Sequence, residues 1–102
     1  MKPINNNEII FKFLSNALNN NYSDLNIRAF IILYYVYIKK EVLSIKEYAE
    51  ILGTNKTLVF RLIDKLIAKR LVNKTYEVED GRKVAILPIH KRDAIIRHLF
   101  NL

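Results

Sequence analysis

The hydrophobic residues of this chain follow helical spacing over most of its length. Intervals of three and four residues between apolar side chains predict amphipathic helices over 7–20, 55–70 and 91–102. A further helix is predicted over 24–40, with Ser23 as its N-cap, and its middle is apolar on every side. A helix without a polar face is normally surrounded by other helices, so we expect this one at the centre of the fold.

The segment 44–66, SIKEYAEILGTNKTLVFRLIDKL, has the spacing of a helix-turn-helix. Ser44 and Glu47 can form a capping box at the start of a short helix. Gly53 ends that helix where the turn requires positive φ, and Thr54 is expected to cap the next helix.

Three other positions fit the same motif. Ala49 is small where the two helices must cross, and Val59 and Leu62 are spaced as inward anchors of the second helix. Such a motif occurs by chance in many sequences, so its weight depends on the elements that come after it along the chain.

The hydrophobic period changes to two over 72–87, which predicts a two-stranded hairpin. A three-residue loop, 80–82, keeps the apolar residues of both strands on one face and pairs Val78 with Val84, whereas a two-residue loop would separate them. The predicted fold is therefore mainly α with a small β-hairpin, a single winged helix-turn-helix domain over 1–102, since the length makes one domain the default.

The charge of the chain is strongly asymmetric. The formal net charge is +7, and residues 1–52 carry six basic and five acidic side chains, whereas residues 53–102 carry eleven basic and five acidic ones. A basic half next to a helix-turn-helix indicates a polyanionic partner, usually nucleic acid and less often an anionic membrane; a merely solubilising surface is the alternative.

The outward side of the second helix of the motif supplies candidate DNA contacts. Arginine and asparagine side chains can form paired hydrogen bonds with guanine and adenine, and residues at the helix start can hold a phosphate. Lys65 and Lys69 are better placed for the flanking backbone. The candidates for base or nearby phosphate contact are Asn55, Lys56, Thr57, Phe60 and Arg61.

Two outward residues have competing interpretations. Phe60 packs on the hairpin or a neighbouring helix in the favoured interpretation, and contacts a thymine methyl group in the other. Asp64 would repel phosphate, so we expect it at the edge of the surface or paired with a nearby basic residue.

The tip of the hairpin carries Arg82 and Lys83. We expect Arg82 to enter a minor groove, where narrow A·T-rich stretches concentrate negative potential. In the alternative interpretation the tip is only solvated, and Lys83 pairs with Glu79.

Over 24–87 the sequence resembles the MarR and SarA group of bacterial winged-helix regulators, whose D-x-R motif at the wing is matched by Asp80-Gly81-Arg82. The resemblance implies that the second helix of the motif binds the major groove, that Arg82 binds the minor groove, and that terminal helices form a dimer. Members of that group are usually longer, with extended terminal helices. The chain also looks like small relaxosome accessory proteins of plasmids.

Both terminal helices carry apolar residues that the rest of the chain has little means to cover. We expect a homodimer through the N- and C-terminal helices that reads an inverted repeat; the alternative is that both helices fold onto the central helix of their own chain.

Other chemistry is not expected. The absence of cysteine excludes disulfides and thiolate sites, His90 and His98 lack partners at metal-binding spacing, and no nucleophile and base are paired. No signal peptide or membrane span is predicted. We therefore expect a cytoplasmic, non-enzymatic binder of double-stranded DNA without cofactor, most simply a transcriptional regulator. The alternatives are an accessory factor at a plasmid origin, a protein-binding module, and a general nucleic-acid binder.

Overall fold

The computed structural model describes residues 6–19, 22, 24–76 and 84–100. Along the chain its elements are α1 Asn6–Asn19, α2 Ile27–Leu33, a π-helical continuation of α2 over Tyr34–Lys39, α3 Ile45–Ile51, α4 Lys56–Ala68, β1 Val72–Tyr76, β2 Val84–Pro88, a 3-10 turn His90–Arg92, and α5 Asp93–Leu99.

Helix α2 and its continuation form the centre of the core, as the sequence predicts. Ile32, Leu33 and Tyr37 are all at most 1% exposed. The start of the helix differs from the prediction, because the N-cap is Asn26, whose side-chain oxygen accepts the N–H of Ala29 at 2.9 Å. Asparagine is among the best N-caps, so the helix begins three residues later than predicted. Ser23 lies outside the described residues.

The helix-turn-helix forms with the predicted capping box. Ser44 Oγ accepts the Glu47 N–H, and a Glu47 carboxylate oxygen accepts the Ser44 N–H, both at 3.1 Å. Gly53 has φ +63°, the left-handed conformation that a residue with a Cβ adopts only under strain. The turn is closed by the Thr54 N–H, which donates to the carbonyl of Ala49 at 2.9 Å.

Helix α4 packs its predicted anchors inward but begins at a different cap. Val59 and Leu62 are buried. Asn55, not Thr54, is the N-cap, because its side-chain oxygen accepts the Leu58 N–H at 2.9 Å. The Thr54 prediction is wrong because α4 begins at Lys56, so the residue with extended backbone directly before it is Asn55, and Thr54 lies one residue too early, in the turn.

Strands β1 and β2 are antiparallel, and their register differs from the prediction. Val84 pairs with Tyr76 and not with Val78. The shift is two residues, so each side chain keeps its predicted face, since side chains alternate with a period of two. The loop predicted over 80–82 lies outside the described residues.

The register is held at the base of the hairpin by a buried hydroxyl. Tyr37 Oη donates to the carbonyl of Leu71 and accepts the N–H of Ile89 at 2.9 Å. Those two residues flank the last strand pair, Val72 with Pro88. Burial raises the pKa of the Tyr37 hydroxyl, so it keeps its proton at neutral pH.

Helix α5 folds onto its own chain. Ile96 and Leu99 are both 0% exposed, and Arg97 donates a hydrogen bond to the carbonyl of Tyr37 at 3.4 Å. The expectation that these apolar residues lack cover within the chain is therefore wrong for Ile96 and Leu99. Ile95 remains 37% exposed.

Helix α1 leaves most of its apolar side chains uncovered. Phe13 packs edge-to-face on Phe30, with ring centroids 4.9 Å apart, and Ala17 is buried. The residues that stay at least 44% exposed are Ile9, Ile10, Phe11, Leu14 and Leu18. Among the described helices, none combines the length and the apolar character needed to cross a bilayer.

Candidate nucleic-acid interface

The side of α4 opposite its buried anchors is accessible to a ligand. The outward residues predicted from the sequence are all exposed, namely Asn55, Lys56, Thr57, Phe60, Arg61 and Asp64. An α-helix presented in this way, with one face in the core and the other polar, has dimensions that fit the major groove of DNA.

Arg61 is the best-placed donor on this surface. Within the described part of the chain it makes no hydrogen bond or ion pair, and its side chain is exposed. All five guanidinium N–H groups are therefore available, in the fork geometry that matches guanine O6 and N7.

Asn55 is less available than the sequence suggests. A paired contact with adenine uses both the oxygen and the amino group of an asparagine side chain. The oxygen of Asn55 already accepts the Leu58 N–H as the helix cap. That oxygen has a second lone pair and the amino group can still donate, so the two-bond contact with adenine stays a prediction, now from a side chain that also caps α4.

Lys65 and Lys69 lie on the flank of α4 that faces the residues before α2. Lys65 Nζ donates to the carbonyl of Asp24 at 2.7 Å, and Lys69 Nζ is 2.9 Å from the Asp24 carboxylate. The hydrogen bond from Lys69 lowers the pKa of Asp24. Neither lysine is a free cation in this structure, and their role on the flanking DNA backbone stays a prediction.

Asp64 is paired with a basic residue, as predicted. Its carboxylate lies 3.6 Å from Lys74 Nζ on β1. Such an exposed pair contributes little to stability, about 0–1 kcal/mol. Its effect here is to offset the one negative charge among the outward residues of α4, which favours a polyanionic ligand.

Phe60 is 40% exposed, so part of its ring remains accessible beside the polar residues of α4. This exposure leaves room for contact with a thymine methyl group, the less favoured of its two interpretations. The wing residues Arg82 and Lys83, with Glu79, lie outside the described residues, and their roles stay predictions.

Arg28, at the start of α2, is a candidate that was not predicted from the sequence. Its Nε donates to the carbonyl of Leu52 at 3.1 Å, which places the guanidinium beside the turn between α3 and α4. No local pattern marks this position, because the contact joins residues 24 positions apart.

The described residues hold no group of three or more His, Cys, Asp or Glu side chains that could bind a metal ion.

The surface around α4 offers hydrogen-bond donors, positive charge and one partly exposed aromatic ring. Together with the two crossed helices and the β-hairpin, it defines a winged helix-turn-helix protein.

Comparison with known proteins agrees with this architecture. A model of the MarR family matches residues 23–83, which is more than half of the chain. The chain therefore belongs to the MarR family, which confirms the MarR part of the resemblance noted from the sequence. No curated protein matches the chain.

Solved structures with the same fold include three bacterial proteins of low sequence identity. The transcriptional regulator Tm0710 from Thermotoga maritima has a TM-score of 0.74 at 20% identity over 89% of this chain and 61% of its own. YusO from Bacillus subtilis has a TM-score of 0.70 at 19% identity, over 91% of this chain and 63% of its own. The S. aureus MepR–DNA complex has a TM-score of 0.74 at 18% identity, over 90% of this chain and 73% of its own. The chain thus spans less than two thirds of Tm0710 and YusO.

Proposed function

We propose that this protein binds double-stranded DNA sequence-specifically through the exposed side of α4 and acts as a transcriptional regulator. The observation that carries the proposal is Arg61, which is exposed and makes no ion pair with the described residues, on the second helix of a capped helix-turn-helix. Membership of the MarR family supports it, as does the similarity in fold to MepR, which has been solved as a complex with DNA.

Other residues have supporting roles in this proposal. Lys56 and Thr57 are exposed at the start of α4, where free backbone N–H groups favour a phosphate. In the same proposal Phe60 contacts a thymine methyl group, and Arg82 and Lys83 bind the adjacent minor groove.

We further propose that the protein acts as a homodimer. The uncovered side of α1, with Phe11 at 70% and Leu14 at 58% exposure, is an apolar surface of the kind that marks an interface. Shallow cavities beside it are lined by apolar residues that include Phe13, Ile27 and Phe30. A second copy related by a two-fold axis would cover this surface and place two α4 helices on an inverted repeat.

The comparisons name transcriptional regulators and give no support to a role at a plasmid transfer origin. We therefore place the protein at promoters. Two other functions can be separated from this one by competition between duplexes. A protein-binding module would not bind the duplexes, and a general nucleic-acid binder would bind selected and scrambled duplexes equally.

Selection of duplexes from a random pool with the whole chain tests this function. We expect an inverted repeat with half-sites about one helical turn apart, bound by two chains per duplex. The logarithm of affinity for that duplex should fall with the logarithm of salt concentration, with a slope of about 5 to 10 for a dimer.

Three outcomes would contradict the proposal in different ways. Affinity that survives scrambling of the selected site would indicate general nucleic-acid binding. Affinity indifferent to salt, or no duplex binding, would favour the protein-binding module. A single half-site bound by one chain would contradict the homodimer alone.

A further inference from the structure

Two contacts fix Arg28 and the residues before it against the helix-turn-helix. Its own Nε donates to the carbonyl of Leu52 at 3.1 Å. Four residues earlier, the carbonyl of Asp24 accepts a hydrogen bond from Lys65 of α4 at 2.7 Å. The start of α2 is thus fixed both to the turn of the motif and to the side of α4.

The position of Leu52 places Arg28 near the end of α4 that is expected to meet DNA. Leu52 lies three residues before Asn55, the N-cap of α4. Consecutive Cα atoms are about 3.8 Å apart, so the Cα atoms of these two residues are separated by at most about 11 Å. The Arg28 guanidinium therefore lies at the turn that leads into the start of α4, where Lys56 and Thr57 are the candidate phosphate contacts.

Most of the hydrogen-bonding capacity of Arg28 is unused. A guanidinium has five N–H donors, and the bond to Leu52 uses only the one on Nε. In the part of the chain that the structure describes, the two terminal amino groups have no acceptor, and the side chain is exposed. Two parallel N–H donors at the end of an anchored side chain match the geometry of a phosphate.

The nearby carboxylate does not cancel the charge of Arg28. Asp24 is the acidic residue closest in sequence, and its carboxylate is already 2.9 Å from Lys69 Nζ. The hydrogen bond from Lys69 also lowers the pKa of Asp24, so this pair stays charged and mutually compensated at neutral pH.

Arg28 also has a structural role that must be separated from ligand binding. A cation at the C-terminal carbonyls of a helix stabilises it, typically by about 0.3–1 kcal/mol. The hydrogen bond to Leu52 gives Arg28 this role on α3. Loss of the side chain would thus reduce stability whether or not it contacts DNA.

We propose that Arg28 binds a backbone phosphate of the DNA next to the groove that α4 occupies. The inference rests on the proposed function, since it assigns a further contact to the same interface. The bond to Leu52 orients the guanidinium before DNA arrives, which reduces the conformational entropy lost on binding. A phosphate contact of this kind sets the position of α4 along the duplex and carries no sequence preference.

The test compares Arg28→Gln, Arg28→Lys and wild type on the selected duplex over a range of salt concentrations. Lys91→Gln is the matched control, since Lys91 is an exposed cation in the turn before α5 and belongs to neither the proposed DNA surface nor the proposed dimer surface. We expect Arg28→Gln to reduce the salt slope by about 0.9 per protomer, hence about 2 per dimer. Arg28→Lys should retain most of the slope with weaker binding, and Lys91→Gln should behave as wild type.

A different result is expected if Arg28 has only a structural role. Arg28→Gln would then lower the thermal midpoint while the salt slope stayed that of wild type, which would overturn the inference and leave the proposed function intact. A slope reduced equally by Lys91→Gln would also overturn it, because only total charge would matter. If wild type itself showed no salt-dependent duplex binding, the proposed function would be contradicted, and the inference on Arg28 with it.

Discussion

Arg61→Ala is expected to weaken binding of the selected duplex by about 2–6 kcal/mol, because a good arginine–guanine contact contributes about 1–3 kcal/mol and a dimer makes two of them. The loss should be accompanied by relaxed preference at the contacted base pair. The fold should be unaffected, since the side chain is exposed and makes no hydrogen bond or ion pair in the described part of the chain. Competition binding and thermal unfolding measure the two effects separately.

The control for Arg61→Ala is Lys91→Ala, which removes one exposed cation from the same basic half of the chain. If the positive surface acts only as a diffuse field, the two variants will lose affinity equally, and the assignment of Arg61 as a base contact is wrong. The double variant Arg61→Ala with Arg82→Ala should lose all specific binding, because both proposed groove contacts are then absent.

Tyr37→Phe is expected to lower the free energy of unfolding by about 1–3 kcal/mol, although it removes a single oxygen atom. The Tyr37 hydroxyl bonds both the carbonyl of Leu71 and the N–H of Ile89 at the base of the hairpin. Phenylalanine would remove the hydroxyl that bonds the Leu71 carbonyl and the Ile89 N–H, at a position where the Tyr37 side chain is only 1% exposed. Urea unfolding at neutral pH, where burial keeps the hydroxyl protonated, measures the loss.

Tyr34→Phe provides the matched control for Tyr37→Phe. Tyr34 lies in the same π-helical segment, is 38% exposed, and its hydroxyl makes no hydrogen bond to the described residues. The two variants should therefore differ by at least about 1 kcal/mol. Equal stability would show that the hydroxyl of Tyr37 does not hold the hairpin.

The helix-turn-helix could be predicted from the sequence because its determinants are local. The capping box joins Ser44 and Glu47, three residues apart, and the turn needs one residue with positive φ, Gly53. The inward spacing of Val59 and Leu62 follows from the helical period alone. The exposed side of α4 was predictable for the same reason, since it is what remains when the buried positions are assigned.

The hairpin register could not be predicted, because it depends on contacts distant in sequence. Tyr37 is 34 residues from Leu71 and 52 residues from Ile89. The residues of the turn carry no information about these contacts at the base of the hairpin. Two registers that differ by two residues satisfy the alternation of side chains equally well. The burial of Ile96 and Leu99 against their own chain was only the less favoured alternative for a similar reason, since the apolar pattern of a helix does not say which element covers it.

Part of the candidate site also depended on tertiary contacts. Lys65 and Lys69 were predicted to contact the flanking DNA backbone, and the sequence did not show that Asp24, from the residues before α2, contacts both. Arg28 was not selected at all, because its place beside the turn exists only once α2 packs against α3 and α4. Asn55 was predicted only as a base contact, and the structure adds that its side chain caps α4.

The claim that the exposed side of α4 reads the major groove is tested most directly by removing acceptors from the DNA. Guanines of the selected duplex are replaced one at a time by 7-deazaguanine, which lacks the N7 acceptor and keeps Watson–Crick pairing. We predict that one such position per half-site weakens binding of wild type and leaves the affinity of Arg61→Ala unchanged, a coupling that shows contact between the two groups. Equal losses for both proteins, or no sensitive guanine, would contradict the placement of Arg61 in the major groove.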